Sequence, residues 1–276
     1  MQNRIIMNIV CAAADVIQKI SIDSSVRGVT SVDDELFVLL QRADNQVGVY
    51  SINDYQLLRR INLPGFKPNG TSDIASCVRH KCLYASETDK TCIHRYELAN
   101  CATSKWSVPG RPRGLSVTPG GNLLVTFHGK LVELSSDSGE CVREIALQSD
   151  IVCPWHSVQL TTGEVVICHG VYDGDIHRVC EVGDDGKVAR SYGGKHGSDI
   201  GQLHLPCRLA VDEDSQFIFV VDELNARVAL LSPTLGFVRY VIEGVSCPCR
   251  LYFHQATRRL FIGQWRALSV VQLSMS

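Results

Sequence analysis

Apolar and polar positions along the chain exchange in a recurring order. A polar residue opens a short segment that turns apolar at once: Arg27-Gly28-Val29, Asp73-Ile74-Ala75, Arg113-Gly114-Leu115, His156-Ser157-Val158, Arg208-Leu209-Ala210 and Arg250-Leu251-Tyr252. The opening residues are spaced 46, 40, 43, 52 and 42 positions apart. A compact apolar stretch follows each, centred on Phe37, Tyr84, Leu124, Val166, Phe219 and Phe261, always 10 or 11 positions after its opening residue. That offset fits two short strands joined by a tight turn. Turn-forming residues occupy the gap at Asp33-Asp34, Pro119-Gly120-Gly121-Asn122, Thr162-Gly163 and Asp212 to Ser215.

A third segment ends on an aliphatic residue at Ile52, Leu98, Leu134, Val182, Leu231 and Leu273. A fourth, more polar segment follows in five repeats: Leu57 to Leu63, Lys105 to Val108, Val142 to Leu147, Val188 to Tyr192 and Phe237 to Ile242. Four short strands in a unit of about 40–50 residues make one blade of a β-propeller. The sixth repeat has no fourth strand after Leu273, while Val16 to Ile22 reads as a fourth strand without a blade. The sequence therefore predicts an all-β fold: a six-bladed propeller of four-stranded antiparallel blades, closed by the N-terminal strand completing the last blade. Closure also covers strand edges that would otherwise invite association. Residues 1–14 are expected to lie outside the ring, and residues 15–276 to form it.

The fifth repeat, Gly197 to Leu231, reads GSDIGQLHLPCRLAVDEDSQFIFVVDELNARVALL. It resembles an NHL repeat, with a Gly-x-x-x-Gly-Gln-Leu opening, a Pro before the first strand, an Ala-Val-Asp turn, and Val221, Asp222, Asn225 and Arg227 before the third strand. The first repeat keeps Asp44-Asn45 and the second keeps Glu87 and Asp89, whereas the third, fourth and sixth lack the Asp-x-x-Asn signature. The resemblance implies a ring that binds RNA or protein, similar to the C-terminal propellers of tripartite-motif proteins, which often serve ubiquitin ligases in substrate recognition. The 276 residues contain no RING, B-box or coiled-coil segment, so ligase chemistry would have to come from elsewhere.

Strand direction places the six opening residues and the loops between second and third strands on one face. Arg27, Arg113, Arg208 and Arg250 there face one Asp73, with His156 neutral. With the neighbouring loops the face holds 11 basic and 8 acidic residues, +3 against −2 for the whole chain, which leaves −5 elsewhere. That sign suits an anionic ligand. Trp155 and Trp265 map to the same face and can stack on bases or anchor a peptide. The candidate binding residues are thus Arg27, Arg113, Trp155, His156, Arg208, Arg227, Arg250 and Trp265. The competing role for each arginine is structural: Asp222 with Arg227, and the opening arginines with Asp44, Asp73 or Asp222, could simply pin blades together.

Candidate chemistry narrows the reading further. No H-E-x-x-H, G-x-S-x-G or P-loop string occurs. Arginines around Asp73 and His156 would repel a channel cation. The expectation is a non-catalytic recognition module with no cofactor and no metal, binding a protein or peptide partner or single-stranded RNA. The alternative is a channel-centred, metal-dependent hydrolase or lyase of the lactonase-like kind. Cys168 and His169 are adjacent on a strand, so they point to opposite faces and should not meet. The 12 cysteines form no paired zinc framework, although Cys77 and Cys82 could face each other across a hairpin. Buried reduced thiols indicate a cytoplasmic protein. The apolar stretch from Ile5 to Ala14 leaves secretion as the alternative, and no apolar run is long enough for a membrane span.

Overall fold

The computed structural model describes residues 14–273. The expected extension at residues 1–14 therefore lies almost wholly outside the described residues. Twenty-four strands form six four-stranded antiparallel sheets. Blade one comprises β2 (Val26–Val32), β3 (Glu35–Leu40), β4 (Val47–Ser51) and β5 (Leu57–Ile61). Blade two comprises β6 (Ile74–Cys77), β7 (Cys82–Glu87), β8 (Cys92–Glu97) and β9 (Thr103–Ser107). Blade three comprises β10 (Leu115–Val117), β11 (Leu123–Phe127), β12 (Lys130–Leu134) and β13 (Cys141–Ala146). Blade four comprises β14 (Pro154–Gln159), β15 (Val165–Gly170), β16 (Ile176–Val182) and β17 (Val188–Lys195). Blade five comprises β18 (Pro206–Val211), β19 (Ile218–Asp222), β20 (Arg227–Leu231) and β21 (Phe237–Glu243). Blade six comprises β22 (Arg250–His254), β23 (Arg259–Gly263) and β24 (Ala267–Leu273), completed by β1 (Ala14–Ser21).

The closing strand pairs antiparallel to β24, from Ala14 opposite Leu273 to Ser21 opposite Ala267, with an irregularity between Val16 and Gln18. The ring is thus sealed by hydrogen bonds between the two ends of the described chain. No helix among the described residues is long and apolar enough to cross a membrane.

The middle strands read as unbroken apolar runs because each packs on both faces. In β3, Leu36, Val38 and Leu40 face blade six while Phe37 and Leu39 face blade two. In β19, Ile218 and Val220 face blade four while Phe219 and Val221 face blade six. The two-residue period of a strand serves both neighbours at once. Each of the six blade interfaces holds its own apolar cluster. The fourth strands carry exposed, polar outer positions, as in β9 and β13. The first strands carry the small and polar residues that line the axis.

Candidate functional site

The first strands surround a central cavity of about 600 Å³. One end is built from Asp73, His156, Arg208 and Arg250, all buried. The other end lies among the turns between first and second strands, where Val78, Arg79, Pro119, Thr161 and Glu213 are exposed. The cavity is a well with a charged floor, open on the turn face.

Ring geometry explains the floor. Blades two and five lie opposite one another, so Asp73 and Arg208 meet across the axis, Nη2 to Oδ2 at 3.8 Å. His156 from blade four brings Nε2 to 3.9 Å from the same oxygen and 3.1 Å from the Leu115 carbonyl. The Leu115 N–H donates to Asp73 Oδ2 at 2.9 Å. Arg250 from blade six donates to four backbone carbonyls: Arg27 at 2.5 Å, Cys249 at 2.6 Å, Gly70 at 3.0 Å and Ser72 at 3.1 Å. These bonds tie all six blades together at this end of the channel.

Arg208 is less fully used. Its Nη1 donates to the Cys207 carbonyl at 2.8 Å, but its Nε has no partner. His156 Nδ1 and Ser116 Oγ are also buried without partners, and all three residues line the well. Buried polar groups are rarely left unsatisfied, and these three belong to residues that line one cavity. Neighbouring wall hydroxyls are satisfied: Thr30 with Ser76 at 2.6 Å, and Ser31 with Tyr252 at 2.7 Å.

Burial, outweighing the attraction of Asp73, lowers the His156 pKa to about 4. The imidazole is neutral at pH 7. With Nε2–H donating to Leu115 O, the free Nδ1 is an acceptor. Burial opposes the Arg208 charge, but Asp73 together with the neighbouring Cys207, Cys168 and Cys249 holds that guanidinium above its ordinary value. Burial and the charge of Arg208 pull Arg250 down to about 10, still charged at pH 7. Asp73, Arg208 and Arg250 leave a formal excess of one positive charge at the floor.

Comparison with known proteins bears on the fold. No protein-family model matches the chain, and no curated protein matches it by sequence. Many solved chains share its architecture. A streptogramin B lyase superposes with a TM-score of 0.66 at 10% identity, over 93% of this chain and 97% of the other. Virginiamycin B lyase from Staphylococcus aureus gives 0.63 at 13% identity, over 90% and 82%. Hydrazine synthase from Kuenenia stuttgartiensis gives 0.67 at 13% identity, over 93% and 98%. The chain is a six-bladed β-propeller. Identity this low establishes the architecture alone.

The sequence-predicted residues separate into two groups within this ring. His156, Arg208 and Arg250 come together, recessed at the well floor rather than displayed on a rim. The other five do not join them. Arg27 reaches sideways to Gln41, Nε to Oε1 at 2.9 Å. Arg113 lies over the Trp155 ring at 4.8 Å and 3.5 Å from the Pro154 carbonyl. Trp155 is half-buried and donates its indole N–H to Gly170 O at 2.9 Å. Trp265 is 65% exposed. Arg227 is buried, bonded to Asp222 at 2.8 Å and to the carbonyls of Ser198 and Gln202, and stacked 4.0 Å over Tyr240. It fastens the blade-five loop to the segment leading into that blade.

Ser116 was missed by the sequence reading. Its signal was present: a hydroxyl residue stands three positions after the opening residue in each of the first three repeats, at Thr30, Ser76 and Ser116. Cys77 and Cys82 do stand opposite each other in the β6–β7 hairpin, and both are free thiols. Cys168 and His169 point apart, Cys168 to the His156 carbonyl and His169 to the Val152 carbonyl.

Proposed function

We propose that this chain is a non-catalytic recognition propeller of the NHL kind whose channel well receives a carboxylate of a peptide partner. The observation that carries this reading is the set of three unpartnered buried atoms, Arg208 Nε, His156 Nδ1 and Ser116 Oγ, around one cavity with a net positive floor. Arg208 and Ser116 supply donors for a carboxylate, and His156 Nδ1 accepts from an adjacent amide or hydroxyl. A peptide C-terminus offers both groups together, and capture of a terminal carboxylate is a known mode of peptide recognition. The cavity falls within the usual range of pockets for small ligands, about 300–1,000 Å³. A run of RNA backbone would instead need cations displayed outside the channel. Cytoplasmic residence belongs to the same proposal, supported by thiols dispersed through the core.

A histidine held near 4 is a hydrogen-bond partner at neutral pH, not a poised general base. A channel-centred lyase is the second reading, drawn from Asp73 and His156 sharing the well and from the lyases among the fold neighbours. Metal dependence is opposed by the guanidiniums of Arg208 and Arg250 beside those two ligands.

Fluorescence anisotropy with a labelled pool of random hexapeptides tests the reading. Free-carboxylate peptides should bind at least tenfold more tightly than the same pool amidated at the C-terminus. Millimolar acetate as competitor distinguishes a requirement for peptide from one for any small carboxylate. Equal binding of both pools, or tighter binding of a 15-mer oligouridine, would overturn it.

A further inference from the structure

Blade two departs from blade five at one structural position, and the departure assembles a different set of side chains. In blade five, Asp222 stands opposite Arg227 across β19 and β20, and the two bond at 2.8 Å. The equivalent pair across β7 and β8 is Glu87 opposite Cys92. Cysteine has no guanidinium to satisfy the carboxylate. His94, two residues further on and so on the same face of the strand, reaches into the space instead. Its Nε2 lies 2.8 Å from Glu87 Oε2. Cys92 Sγ lies 3.6 Å from that oxygen and 3.7 Å from His94 Nε2. Glu87 and Cys92 are each 1% exposed and His94 is 6% exposed.

We propose that Glu87, Cys92 and His94 form a binding site for a zinc-class divalent metal ion. Zinc bonds N and O at about 2.0–2.2 Å and S at about 2.3 Å, which sets tetrahedral ligand atoms roughly 3.3–3.6 Å apart. The two sulfur separations lie close to that spacing, and the Glu87–His94 hydrogen bond must open by about 0.5 Å to reach it. A thiolate and an imidazole beside one carboxylate select zinc over magnesium or calcium, which prefer all-oxygen shells. A divalent ion with one thiolate and one carboxylate is neutral, and that carboxylate is shared with the Lys90 ammonium at 2.8 Å.

The surroundings orient the set. Glu87 Oε1 accepts from Lys90 Nζ at 2.8 Å and from the Lys67 N–H at 3.2 Å, which leaves Oε2 turned toward the sulfur and the ring. Lys105 stands opposite His94 in the sheet, and the Phe66 ring packs edge-on against the imidazole at 5.1 Å. Burial would raise the Glu87 carboxyl, but Lys90 and His94 outweigh it and hold it below the usual glutamate value. A cysteine thiol at its ordinary pKa is protonated at neutral pH, and the 2.8 Å contact is a His94 Nε2–H donating to Glu87 Oε2. Metal binding forms bonds to Oε2, Sγ and Nε2. The imidazole proton moves from Nε2 to Nδ1, and the thiol proton leaves to solvent, one proton per ion.

Cobalt(II) titration of the chelator-treated full chain tests this site. One equivalent should give a near-ultraviolet thiolate-to-cobalt band and visible bands of four-coordinate cobalt, both abolished by stoichiometric zinc. In weakly buffered solution at pH 7, zinc should release one proton per chain. Cys92→Ser should lose the near-ultraviolet band, and Glu87→Gln should weaken cobalt binding at least tenfold. A Cys247→Ser/Cys249→Ser variant, which removes two cysteines outside the set, should behave as the parent. Should Cys92→Ser not fold, His94→Gln takes its place, with the visible bands as readout. A folded parent chain that takes up no cobalt, or a thiolate band that survives Cys92→Ser, overturns the site.

Discussion

Individual arginines show how a repeat position can be given over to cohesion. Arg250 spends every donor group on carbonyls of three blades, and Arg227 spends its own on Asp222 and two loop carbonyls. Arg227→Met leaves the fully buried Asp222 without its cation, a change that costs about 3–5 kcal/mol for a buried pair. Urea unfolding should show that loss while peptide binding by the folded protein stays unchanged; unchanged stability would contradict the role given to Arg227. The histidines give a second test. Burial lowers His156 and His169 to about 4, below the unfolded value near 6.5. The unfolded chain then binds more protons between those values, so this stability is fully present above about pH 6.5 and is lost as pH falls toward 4. Each residue contributes on the order of 3 kcal/mol across the window. The urea midpoint should fall between pH 7 and pH 5, and the fall should shrink in His156→Gln/His169→Gln. A midpoint indifferent to pH in that range would contradict the burial-driven shifts.

At the scale of strands and blades, the sequence was highly informative about order and nearly silent about who meets whom across the axis. The constant offset from Arg208 to Phe219, or from Arg113 to Leu124, reflects a hairpin whose two strands must each present a fixed number of alternating positions. That constraint is local and therefore visible. The closing strand was legible for the same reason, because Val16 to Ile22 alternates like a fourth strand. The meeting of Asp73 with Arg208 is set by ring closure over three repeats, and no local spacing encodes it. The Glu87, Cys92 and His94 set lay between these cases: its i, i+2 spacing was readable, but its convergence required knowing that Glu87 stands opposite Cys92. The closing strand also supports a prediction. Removing residues 1–21 strips β1 from β24 and leaves an open sheet edge. Sedimentation velocity should then show self-association or aggregation of the truncated chain. A truncated chain that stays monomeric with an unchanged melting temperature would contradict the structural role of β1.

For the molecule as a whole, six apolar interfaces make the ring rigid, and rigidity is what allows a few polar atoms to be held unsatisfied around its axis. The face expected to bind by displayed charge buries three of its arginines: Arg208 beside Asp73, Arg227 against Asp222, and Arg250 on backbone carbonyls. The well opens on the opposite face, among the first turns of the blades. The proposed recognition therefore rests on depth and on the recessed guanidinium of Arg208. The most direct measurement is the affinity of the free-carboxylate hexapeptide pool for the parent chain and for Arg208→Met, at two salt concentrations, with circular dichroism confirming the fold. The account predicts at least a tenfold loss in Arg208→Met, and parent binding that weakens only modestly with salt because the well is shielded from bulk ions. Equal affinity of the two folded proteins would contradict it.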